Sequence, residues 1–138
     1  MHSYEKERDA AVEAAHRAGR LIRMYAGELE EKHINSKGVH DLVTHADEES
    51  QRLVVETLQD YFPEHNILAE EGDLSATSNA ATTDGYRWII DPIDGTTNFT
   101  HGVPPYAVSI ALQHEDELVL GVILEVSKNE LFTATKGG

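Results

Sequence analysis

The run Trp88-Ile89-Ile90 followed by Asp91-Pro92-Ile93-Asp94-Gly95-Thr96 confines this chain more than any other segment. Three large apolar residues bounded by turn signals read as a buried strand. Two carboxylates then stand where that strand leaves the core, and ionised acids are costly there without a compensating positive charge. Pro92 fixes one backbone angle, and Gly95 permits a conformation that a side chain would forbid. The two acids and the Ile93 carbonyl can therefore converge on one point, a donor set suited to a hard cation. The bland alternative is an Asp-Pro turn with a capping aspartate.

Around this segment the pattern predicts an α+β domain. From Tyr4 to about Tyr25, Ala11, Ala14, Ala15, Ala18, Leu21, Ile22 and Tyr25 recur three and four apart, which predicts an amphipathic helix with a purely structural role. Glu30 to Asn35 and Leu42 to Thr44, flanking Ser36-Lys37-Gly38, predict a strand, a turn and a returning strand. Thr44 and Asp47 have capping-box spacing, and Leu53, Val54, Leu58, Tyr61 and Phe62 then predict a second helix ending before Pro63. Asn66 to Ala69 reads as a strand that delivers Glu70 and Glu71 at its end, with Gly72 turning the chain away. Asp73 to Gly85 is polar and reads as a surface loop. Tyr106 to Leu112, Leu118 to Val126 and Leu131 to Thr135, with a turn at His114-Glu115-Asp116, predict an antiparallel meander.

The 138 residues suffice for one domain with a real core. There is no cysteine, which excludes disulfides and thiolate metal sites and fits a reducing compartment. The charged N-terminus does not resemble a signal peptide, and no apolar run approaches membrane-spanning length, so a cytoplasmic protein without a membrane partner is expected. With 11 Lys and Arg against 25 Asp and Glu, the net charge of −14 repels nucleic-acid backbones, and no nucleic-acid partner is expected. An anionic substrate meets the same repulsion unless divalent cations invert the local sign.

Glu70, Glu71, Asp91 and Asp94 all lie at the ends of predicted apolar strands, which neighbouring positions in a sheet would bring together. With neither cysteine nor an HxxxH pair nearby, oxygen donors point to magnesium or manganese over zinc. Paired ions of that kind, roughly 3.5–4 Å apart, suit phosphoryl transfer. Glu71 is equally readable as a supporting or surface acid, Asp47 as a helix cap as well as a site residue, and Lys37 as a solvated loop lysine. His33, His40, His45 and His101 show no ligand spacing and read as surface or structural residues.

The stretch from Trp88 through Phe99, continued by Gly102-Val103-Pro104 and Val108 to Leu112, resembles the signature of the inositol monophosphatase family of magnesium-dependent, lithium-sensitive phosphatases. Ile67 to Gly72 is similar to the family's acidic pair, and Asp41 to Asp47 to its first acidic segment. The resemblance implies two helices on a mostly antiparallel sheet, the N-terminal part of an αβαβα layered sugar-phosphatase fold, with residues 1–138 forming the metal-binding half and a C-terminal half absent. It implies two or three Mg2+ ions, with Mn2+ as an alternative. Glu70, Asp91 and the Ile93 carbonyl would hold the first, and Asp91 and Asp94 would contribute to a second. Thr96 and Glu70 would orient the attacking water, Asp47 would hydrogen-bond Thr96, Gly95 and Thr96 amides would cradle phosphate, and Lys37 would add distant positive charge. The implied substrate is a small phosphate monoester, inositol monophosphate first, with a nucleotide 3′-phosphate or fructose bisphosphate as alternatives. The full-length form is expected to be a homodimer. A non-catalytic cation-binding module, or a fragment that depends on a partner, is the competing expectation.

Overall fold

A stripe of small residues decides how the first helix sits. In α1 (Glu5–Asn35), Ala11, Ala14, Ala15, Ala18 and Ile22 are completely buried, and side chains this short let a helix lie close to its neighbours. Gly19 continues the stripe: a Cβ there would come within 2.6 Å of Leu124 Cδ2. This computed structural model describes residues 3–35, 38–69 and 85–137. After α1 come α2 (Val39–Tyr61), β1 (Asn66–Ala69), β2 (Tyr86–Asp94), α3 (Thr96–Thr100), β3 (Ala107–His114), β4 (Glu117–Glu125) and β5 (Glu130–Thr135). Tyr25 Oη donates to Glu49 Oε1 at 2.9 Å and ties α1 to α2.

The strands form one sheet in the order β1-β2-β3-β4-β5, with β1 parallel to β2 and every other pair antiparallel. Strand alternation sorts the sheet into two faces. Ile67, Trp88, Ile90, Val108, Ile110, Leu112, Val122 and Leu124 are all buried, on the face where α1 packs on β3 and β4 and α2 packs on β2. On the opposite face the register aligns Leu68, Ile89, Ala111, Gly121 and Ala134 in one row and Asp91, Ser109, Ile123 and Phe132 in another. Leu68, Ile123 and Phe132 of this open face are exposed. The architecture is α+β, as expected, with a mostly antiparallel sheet and one short helix besides the two long ones. Among the described residues no helix is long and apolar enough to cross a membrane.

Two expectations fail in the first half. The segment from Glu30 to Asn35 continues α1, and Leu42 to Thr44 lies inside α2. The apolar stripe does not stop at Tyr25: Ala26 packs on the core and Leu29 is buried, so the helical period outlasts the interruption at Gly27. In α2 the spacing of Val39, Leu42, Val43 and Ala46 is likewise helical, and packing against α1 overrides a short β-branched run. The capping box fails with it. Gly38, at φ 80°, precedes the first residue of α2 without a side-chain cap, and Thr44 Oγ1 donates to His40 O one turn back. The expected loop at residues 73–85 lies almost wholly outside the described residues. The turn at Glu115-Asp116 is present, with both residues at positive φ (53° and 70°) as a type I′ hairpin turn requires.

Candidate functional site

β2 does not end at Ile90. Asp91 pairs with Ser109 and Asp94 with Ala107, and the register shifts between them, so Asp91 to Asp94 form a bulge inside the strand. A bulge re-aims side chains locally. It leaves Asp91 partly buried, Ile93 buried and Asp94 exposed. Thr96 Oγ1 closes the turn by donating to Ile93 O at 3.0 Å. Gly95 sits at φ 92°, and a Cβ there would lie 2.8 Å from Pro105 O, so both conformation and space demand glycine. Asn98 Nδ2 donates to the same Pro105 carbonyl at 2.9 Å. Phe99, buried, meets the Tyr106 ring edge-on with centroids 5.1 Å apart and anchors the short α3 behind the bulge.

From the helix side, Ser50 Oγ donates to Pro92 O at 3.1 Å in buried surroundings. Asp47 lies three residues earlier on α2, hence on the same helix face, and is 8% exposed. That spacing directs Asp47 at the bulge. The Thr96 hydroxyl donates to Ile93 O.

Glu125 supports the far side. Its Oε2 accepts the Tyr106 N–H at 3.0 Å, and its Oε1 accepts Ser127 Oγ at 2.7 Å and the Lys128 N–H at 2.8 Å. Burial pushes this carboxyl up, but the hydrogen bonds from Ser127, Lys128 and Tyr106 outweigh burial and hold it below its ordinary value. Burial, followed by the Glu125 charge, pushes the Tyr106 phenol up. Tyr106 directly follows Pro105, whose oxygen crowds Gly95, so Glu125 fixes the wall against which the bulge is built.

The structure thus gathers Asp91, Ile93, Asp94, Gly95 and Thr96 at one end of the sheet, with Asp47 on the face of α2 whose Ser50 reaches Pro92. Lys37, Glu70 and Glu71 lie outside the described residues. Among the described residues no group of three or more His, Cys, Asp or Glu could hold a metal. The donors present there, two carboxylates and main-chain carbonyls, are all oxygen and match magnesium in kind. Glu70 would be the third carboxylate. The parallel register of β1 and β2 ends at Ala69 beside Ile90, one residue before Glu70 and one before Asp91. Ser50, Asn98 and Glu125 escaped the sequence expectations; the spacing of Ser50 from Asp47 on one helix face was the available signal.

A model of the inositol monophosphatase family matches residues 3–138. Inositol monophosphatase 2 of Solanum lycopersicum is 46% identical over 129 residues, which cover 94% of this chain and 48% of that protein. The Nus factor SuhB of Pseudomonas aeruginosa is 40% identical over 127 residues, 92% of this chain and 46% of its own length. The solved inositol monophosphatase of Anabaena superposes with a TM-score of 0.75 at 35% identity, over 94% of this chain and 44% of that one. The chain spans about half the length of the curated relatives it matches. It belongs to the inositol monophosphatase family.

Proposed function

We propose that this chain carries the metal-binding half of a phosphatase site that hydrolyses a small phosphate monoester, inositol monophosphate first, with Mg2+ as cofactor. The observation that carries the reading is the register of β1 against β2. Ala69 pairs with Ile90, and in sequence Glu70 follows the first and Asp91 the second. In this reading Glu70, Asp91 and Ile93 O would hold one ion and Asp91 and Asp94 another, with Mn2+ able to replace Mg2+ and two or three ions in the complete site. Bound there, the ions supply Lewis acidity toward water and positive charge facing the phosphate.

The chain's own residues do the rest. The Thr96 oxygen, its proton committed to Ile93 O, keeps lone pairs that can accept from water, and with Glu70 it orients the nucleophile. Asp47, buried on α2 on the same helix face as Ser50, would hydrogen-bond in the complete site. The first amides of a helix have no partner within it, so the Gly95 and Thr96 N–H groups at the start of α3 can donate to phosphate oxygens. Lys37 adds positive charge to a chain whose net charge is −14. A homodimer of the full-length form belongs to the same reading.

The test is phosphate release from inositol 1-phosphate, an adenosine bisphosphate and fructose bisphosphate, with magnesium present and then chelated. Release from inositol 1-phosphate that chelation abolishes supports the reading; equal rates in both conditions contradict it. A second reading is favoured by the half-length match to the relatives. In it, this half binds cations, and turnover needs what the rest of the relatives supplies. A rise in melting temperature with Mg2+ but no phosphate release would select it.

A further inference from the structure

His65 stands between the end of α2 and the start of β1 and is 9% exposed. Its ring lies flat on Phe62, centroids 4.6 Å apart and planes 3° apart, and stacks on Tyr86 at 4.8 Å. Tyr86 in turn stacks on His114 at 4.0 Å. Within this ladder Trp88 Nε1 donates to His65 Nδ1 at 3.0 Å, in buried surroundings. An indole nitrogen can only donate, so Nδ1 must be the acceptor and a neutral ring carries its proton on Nε2. Protonating Nδ1 would set one N–H against another and leave the indole donor unsatisfied.

The position of this bond gives it a consequence. Among the described residues β1 covers four positions and its one strand partner is β2. His65 immediately precedes Asn66, which pairs with Arg87, the residue before Trp88. The bond therefore clasps the first rung of the parallel pair. A one-residue slip would turn every β1 side chain to the other face.

We propose that His65 is a positioning residue: when neutral, it clasps β1 to β2 in the register that sets Ala69 beside Ile90, the residue before Asp91, and protonation at Nδ1 opens the clasp. The clasp itself stands on geometry; its purpose rests on the metal-site reading above. Among the described residues, Tyr86 and His114 are the other titratable groups in the stacked ladder, and Tyr61 and Glu64 lie close to His65 in sequence. His114 is the other imidazole of the ladder, so it needs its own control.

Trp88 is the only tryptophan of the chain, so intrinsic fluorescence reads the indole partner directly. Titration of the purified chain between about pH 8 and pH 5 should show one ionisation. It should persist in His114→Gln and vanish in His65→Asn, whose amide oxygen can accept the indole N–H without titrating. At the upper pH His65→Asn should melt like the wild type, while His65→Leu should melt lower by roughly 3–10 °C. As the pH falls the wild type should lose stability and His65→Asn should not. Binding of Mn2+ alone at the upper pH should match the wild type in His65→Asn and weaken roughly tenfold in His65→Leu. The proposal is overturned if the fluorescence transition survives in His65→Asn, or if His65→Leu melts or binds Mn2+ as the wild type does. If no form binds Mn2+, the metal-site reading is what fails, and the clasp is decided by fluorescence and melting.

Discussion

At Gly95 two restrictions coincide: the backbone at φ 92°, and a Pro105 oxygen 2.8 Å from where a Cβ would stand. Neither can relax cheaply, because the clashing atom belongs to the backbone. Gly95→Ala should lower stability by about 2–4 kcal/mol, read as a fall in denaturation midpoint. Glu125 makes a different prediction. Its carboxyl is held below its ordinary value of 4.5, so the stability it contributes is fully present above that value and is lost as the pH falls through the lowered folded-state value. Glu125→Gln should therefore melt below the wild type at neutral pH, and the gap should close in acid; a gap unchanged by pH would contradict this role. At this scale Asp91, Ile93, Asp94, Gly95 and Thr96 were legible because they are nearly consecutive, and local backbone chemistry alone brings them together. Ser50, His65 and Glu125 were not, because their partners Pro92, Trp88 and Tyr106 lie 42, 23 and 19 residues away.

At the scale of elements, the strands from β1 to β5 were legible from alternation and turn residues, whereas the two long helices were cut short. The reason is visible in α1. Gly27 weakens the helix locally, but Leu29 still reaches the core and the helix continues to Asn35. Gly27 and Gly19 should then respond oppositely to the same change. Around Gly27 nothing lies within 4 Å of an added Cβ, so Gly27→Ala should gain about 0.5–1 kcal/mol from helix propensity. At Gly19 the added methyl would stand 2.6 Å from Leu124 Cδ2, and Leu124 is wholly buried. Overpacking of about 1–3 kcal/mol there outweighs the same propensity gain, and Gly19→Ala should melt lower. Thermal melts of the two variants side by side check both signs.

For the molecule as a whole, one sheet face is covered by two helices and the other presents Leu68, Ile123 and Phe132 at 45–57% exposure. A continuous apolar face of this kind promotes association. The double change Ile123→Lys with Phe132→Lys should shift sedimentation toward monomer and leave the helix-covered core intact. The same open face carries Asp91 in the row of Ser109, Ile123 and Phe132. On the proposed function, Asp91 and Asp94 would depend on cations for local charge balance in a chain of net charge −14, and the functional account turns on that. The most direct test is the melting temperature of the wild type, Asp91→Asn and Asp94→Asn across a magnesium titration. A magnesium-dependent rise in the wild type that is lost or strongly reduced in both variants is the predicted result, and a wild type indifferent to magnesium, or variants that rise equally with it, would contradict the account.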